Sequence, residues 1–178
     1  MEYGEFVELY ERLAGTTKKL EKSAILAEFL NHLRKKGKSD WIYLLRGRVL
    51  PDYDAGEFGI STQLAIKAIT NSFGIKEQEV IEHFNKVGDL GNVAEYYVDR
   101  KRQSVLFSKR LSVEKVFETL RKLIGIEGKG TVEKRLGLIA ELLTSASGKE
   151  SKYIIRTLLG DLRVGVADAL VVDALARG

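Results

Sequence analysis

Arg156-Thr-Leu-Leu-Gly-Asp-Leu-Arg-Val-Gly165 places two arginines and two glycines in ten residues, between two apolar segments of helical periodicity. Upstream, Lys149, Lys152 and Arg156 recur at spacings of three and four and so share one helix face, with Ile154, Ile155, Leu158 and Leu159 on the opposite, core-facing side. Gly160 is placed to close that helix in the left-handed conformation. Gly165, just before the next apolar run, lets the backbone come close to something bulky. A helix end that presents amides and arginines together suits a run of phosphates. Taken alone, the stretch is more simply a surface turn with solvated arginines, so the phosphate reading needs support from elsewhere in the chain.

That support comes from three predicted helix starts. Lys18 and Lys19 follow Thr16-Thr17, with Lys22 one turn on; Lys134 and Arg135 follow Gly130-Thr131; Lys149 and Lys152 follow Ser147-Gly148. Cations in a first helical turn oppose the macrodipole and cost up to roughly 1 kcal/mol each. Glu133 and Glu150 make the bias partial, and an anion held between the amides and these side chains would turn the cost into a gain. A further run, Arg100-Lys101-Arg102 to Lys109-Arg110, holds no acidic residue and interleaves Gln103, Leu106 and Phe107, as docking peptides do.

Catalytic patterns are missing. There is no phosphate-cradling glycine loop, no nucleophile elbow, and no cysteine, which excludes disulfides, thiolate zinc and cysteine nucleophiles together. His32 and His83 lie far apart on separate helix patterns. The nearest approach to a nucleotidyl-transfer K-x-D-G motif is Lys38-Ser-Asp40-Trp41, with tryptophan where glycine is needed, so Lys38 reads as a surface lysine.

The elements that must position these groups are almost all helical. Residues 4–14 set Phe6, Leu9, Tyr10 and Leu13 on one face. Thr16 or Thr17 caps a long helix through Leu20, Ala24, Leu26, Ala27, Leu30 and Leu33 that stops near Gly37, and Ser39 opens a shorter one with Trp41, Leu44 and Leu45. Residues 46–60 form a loop. Helical patterns follow at 61–73, 76–87 and from the Gly88-Asp89-Leu90-Gly91 turn to about 99. After an irregular stretch at 100–111 come helices at 112–124, 131–145, 149–159 and 166–177, with a capping box at Ser147 and Glu150. Period-two alternation is nowhere sustained, so the expected class is all-α. The chain has 178 residues, 44% hydrophobic and 30% charged, with 29 Lys+Arg against 25 Asp+Glu. That suits one compact domain and leaves room for a polyanion partner. No apolar run approaches a bilayer crossing and no signal peptide opens the chain, so we expect a soluble cytoplasmic protein and no membrane; a monomer is the expected state.

These residues together resemble the N-terminal DNA-binding domain of ATP-dependent DNA ligases, most closely the archaeal replicative type. The resemblance runs over essentially the whole chain. It is carried by Thr16-Thr-Lys-Lys-Leu-Glu-Lys22, Glu57-Phe-Gly59, Lys86-Val-Gly-Asp-Leu-Gly91 with Ala94-Glu95, and the R-x-L-x-G-x-L-R-x-G-x-A pattern from Arg156 to Ala167. It implies a compact all-α domain of two pseudo-symmetric helical halves, with a sub-lobe boundary near 100–111. It implies binding to the minor groove of nicked double-stranded DNA through backbone and shape. The sealing chemistry, with ATP and Mg2+, belongs to adenylation and OB-fold domains absent from these residues.

Carried over, the DNA-contacting set comprises Arg156, Thr157, Gly160, Leu162, Arg163 and Gly165, joined by Lys19, by Gly130, Thr131 and Lys134, and by Lys152 on the same helix face as Arg156. Asp161 departs from the pattern, standing where relatives often have a neutral or basic residue; it either holds Arg163 or caps the next helix. Gln103, Leu106 and Phe107 are similar to a sliding-clamp-binding sequence, although Leu106 replaces a usual aromatic. A helical scaffold docking such a clamp is the alternative function.

Overall fold

The computed structural model describes residues 1–51, 56–102 and 110–177. Among the described residues, nine α-helices and one 3-10 helix make up the fold. They are α1 (Tyr3–Ala14), α2 (Lys19–Lys36), the 3-10 helix (Ser39–Arg46), α3 (Thr62–Phe73), α4 (Glu77–Val87), α5 (Leu90–Arg102), α6 (Val113–Ile124), α7 (Thr131–Ser145), α8 (Gly148–Leu158) and α9 (Asp168–Arg177). No strand occurs among the described residues; the only bridge there joins Glu2 to Ser112. Through it the Tyr3 N–H donates to the Leu111 carbonyl at 2.8 Å and the Val113 N–H to the Met1 carbonyl at 2.9 Å, so α1 and α6 start side by side.

Local chemistry sets most helix ends where the spacing places them. Ser61, Ser112 and Ser147 accept from the N–H groups of Leu64, Lys115 and Glu150, each satisfying an otherwise orphaned first-turn amide. Ser147 and Glu150 form the anticipated capping box. Gly74 and Gly88 close α3 and α4 in the left-handed region. Helix α5 runs on to Arg102, past the expected end near residue 99. Its basic terminus Arg100-Lys101-Arg102 lies at the negative end of the macrodipole, which favours continuing the helix.

One core runs from Tyr3 to Ala174 and draws on residues either side of the anticipated boundary near 100–111. The most extensive helix pairing crosses that boundary: α5 against α8. A Cβ on Gly91, at the start of α5, would sit 2.7 Å from the Lys152 carbonyl oxygen and 2.9 Å from the Arg156 Cγ near the end of α8. At the other end a Cβ on Gly148, opening α8, would sit 2.1 Å from an Asp99 carboxylate oxygen. The two helices are therefore antiparallel, and a glycine at each end of the contact lets them approach closely. This packing corrects the amphipathic reading of α8. The face bearing Arg156 is covered by α5, and Ser151, Tyr153, Ile154, Ile155, Arg156, Thr157 and Leu158 are all buried.

Candidate nucleic-acid interface

The turn after α8 is built by its own backbone. The Asp161 N–H donates to the Arg156 carbonyl at 2.9 Å and the Gly160 N–H to the Thr157 carbonyl at 3.1 Å, the paired bonds of a Schellman end, with Gly160 left-handed at φ +68°. Leu162 turns inward, and a Cβ on Gly47 would meet it at 3.7 Å. Val164 is buried. Arg163 also takes a left-handed φ of +60°, which costs a non-glycine residue roughly 1 kcal/mol or more, so its neighbours must hold it there.

They do so through a carboxylate that spacing did not single out. Asp89 is 5% exposed. It accepts from the Arg156 guanidinium through Nε at 3.2 Å and through a closer Nη2 bond, and from the Gly91 N–H at 2.9 Å. Arg163 Nη1 lies 3.7 Å from the same carboxylate, while its Nη2 donates to the Gly88 carbonyl at 3.1 Å and its Nε to Asp161 at 2.7 Å. Burial pushes the Asp89 carboxyl up, but the Arg156 hydrogen bonds and the Arg156 and Arg163 charges outweigh it and hold it below its usual range. The Lys86-to-Gly91 turn and the Arg156-to-Gly165 turn are thus one unit, clasped across Asp89.

The three helix starts differ. At α2 no side chain caps the N-cap residue Lys18, although Thr16 Oγ1 accepts from the Lys18 N–H at 3.2 Å. Lys22 reaches the other motif, its Nζ donating to the carbonyls of Val164 at 3.0 Å and Gly165 at 3.3 Å. The bulky group that Gly165 admits is this ammonium, since a Cβ there would lie 2.2 Å from Nζ. At α7 the N-cap Gly130 is left-handed with no side-chain cap, and Arg135 Nη1 donates to the Gly59 carbonyl at 3.2 Å. Gly59, whose carbonyl Arg135 holds, and Gly160 line a common cleft of about 530 Å³. The α8 start stands apart. Its amides are closed by the capping box, and its lysines face Glu11, at 3.5 Å from Lys149 and 3.7 Å from Lys152. Burial raises the Glu11 carboxyl, and the Tyr153 hydroxyl at 2.6 Å with the two lysines lowers it more, so it stays below its usual range. The anion answering those cations is the protein's own.

The singled-out residues therefore divide. Lys19, Gly130, Lys134, Gly160, Arg163 and Gly165 are exposed, and Thr131 is half-buried. Arg156 is 8% exposed and paired with Asp89. Thr157 is buried with its hydroxyl donating to the Tyr153 carbonyl, Leu162 anchors the turn, and Lys152 is half-buried beside Glu11. Gln103, Leu106 and Phe107 lie outside the described residues. Asp161 holds Arg163, one of its two anticipated roles. Lys22 was singled out only as a cation of the α2 start and Asp89 only as a member of a quoted segment, because the contacts that define them span 142 and 67 residues. Among the described residues no three His, Asp or Glu side chains are grouped to hold a metal, and no helix is long and apolar enough to cross a membrane.

Residues 2–176 match the family described as DNA ligase N terminus. The chain is 39% identical over 175 residues to a DNA ligase of Methanothermobacter thermautotrophicus, covering 98% of this chain and 31% of that protein. It is 36% identical over 177 residues to a DNA ligase of Thermococcus fumicolans, covering 99% of this chain and 32% of that protein. A DNA ligase of Nanoarchaeum equitans is 38% identical over 176 residues, with 99% of this chain and 31% of that protein covered. The chain thus spans about a third of the length of these relatives. Sequence match and all-helical architecture converge: the chain belongs to the DNA ligase N-terminal family.

Proposed function

We propose that this chain grips nicked double-stranded DNA for an ATP-dependent DNA ligase, holding the sugar–phosphate backbone on the minor-groove side while domains elsewhere in the enzyme seal the break. The observation that carries this reading is the contact between the α2 start and the 160–165 turn. Lys22 binds the carbonyls of Val164 and Gly165, and so ties the first turns of α2, which bear exposed Lys19, to the loop that bears exposed Arg163. The start of α7 adds an exposed Lys134 behind a left-handed Gly130 that carries no side-chain cap. Cations and open amides on rigid turns recognise backbone phosphate rather than base edges.

The residues present do not form an adenylation site. Lys38, in the near-match to a nucleotidyl-transfer motif, lies 3.0 Å from Glu114 in an ion pair. ATP and Mg2+ would serve the enzyme through other domains, and no step of the sealing reaction passes through these residues.

Binding to nicked duplex across a salt series tests the reading. With roughly six phosphates neutralised, log K against log salt falls with a slope of about −5. Lys19→Ala and Lys134→Ala each weaken binding to unrelated sequences alike and flatten that slope by about 0.9. A flat salt response, or losses confined to particular sequences, would refute backbone gripping.

A further inference from the structure

We propose that Asp161 sets how tightly this chain holds DNA, by occupying the Arg163 guanidinium until a phosphate takes its place. The inference rests on the duplex-gripping reading above and adds a residue that limits the grip. Both arginines of the Arg156-to-Gly165 turn are answered by carboxylates, Arg156 by Asp89 and Arg163 by Asp161 at its Nε, with Asp89 a further 3.7 Å from its Nη1. The apparently basic turn is therefore close to neutral, and its excess positive charge comes from the neighbouring α2 start.

The two carboxylates are not equivalent. Asp89 is buried and pinned by Arg156 and the Gly91 N–H, so it stays. Asp161 is exposed, with its side chain 54% accessible, and can swing away. Arg163, 43% exposed, presents Nε to Asp161 and Nη2 to the Gly88 carbonyl. That is the edge through which a guanidinium grips phosphate with two parallel bonds. A phosphate using both nitrogens must displace Asp161. The position of Asp161 is set by the backbone, because its N–H bond to the Arg156 carbonyl closes α8 whatever side chain it bears.

The test is a double-mutant cycle in the 178-residue chain, read as affinity for nicked duplex over a salt series. Asp161→Asn binds about threefold tighter at low salt, the scale of an exposed ion pair, with a slope steeper by up to about 0.9. In an Arg163→Gln background, Asp161→Asn brings no such gain. Thermal unfolding stays unchanged in Asp161→Asn, which separates affinity from folding. An equal gain in both backgrounds would make Asp161 mere surface charge and overturn the proposal. Weaker or unchanged binding by Asp161→Asn would overturn it as well, while leaving duplex gripping intact if the unaltered chain still binds with a steep slope. No salt-dependent binding by the unaltered chain would overturn both.

Discussion

Asp89 accepts from both a buried guanidinium and a backbone N–H while itself 5% exposed, so its worth to the fold depends on its charge. Removing one partner of such a pair leaves the other buried and unanswered. Asp89→Asn is therefore expected to cost about 3 kcal/mol in urea unfolding at neutral pH. Its folded carboxyl titrates below the usual 3.8, so its contribution is complete above that value and is lost as pH falls through the lower folded one. The stability gap between wild type and Asp89→Asn should be full at neutral pH and shrink as pH falls below 3.8; a gap that stays undiminished well below that value would show that charge is not the cause. At this scale the sequence displayed Arg156, Arg163 and Asp161 as a group. It did not display Asp89, 67 residues from Arg156, because pairing over that distance leaves no periodic trace.

Between elements, the closeness of α5 and α8 decides what Arg156 can do. Gly91→Ala would push a methyl to 2.7 Å from the Lys152 carbonyl oxygen, a rigid neighbour. Overpacking of this kind costs about 1–3 kcal/mol, measurable as a lowered urea midpoint with an unchanged m-value. A variant as stable as wild type would mean that the two helices separate freely. Helix ends were legible in the sequence because caps are local: Ser147 and Glu150, or Gly160 and its two backbone bonds, lie within a few residues of one another. The facing of α8 was not legible. Lys149, Lys152 and Arg156 mark a polar stripe, and only the arrival of α5 and Glu11 encloses its Arg156 end while Lys149 stays exposed.

Across the molecule, one core spans Tyr3 to Ala174, and the α5–α8 and α2–α9 pairings tie early helices to late ones. Unfolding should be a single cooperative event. Trp41, the lone tryptophan and 5% exposed, reports the early helices, while far-UV circular dichroism reports all of them. The two signals should change at the same urea concentration, and two separated transitions would instead reveal independent lobes near residues 100–111.

Composition, helical period and caps determined an all-α domain, with helix bounds within a few residues of those observed, and family likeness pointed to the basic turns. These properties depend on neighbours along the chain, which a sequence displays directly. Tertiary structure alone decided which cations the protein's own groups already answer: Arg156 by Asp89, Lys149 and Lys152 by Glu11, Lys22 by the carbonyls of Val164 and Gly165. The physical reason is that a side chain's charge is available to a partner only if no closer oppositely charged or polar group holds it, and those groups come from segments that only folding brings together.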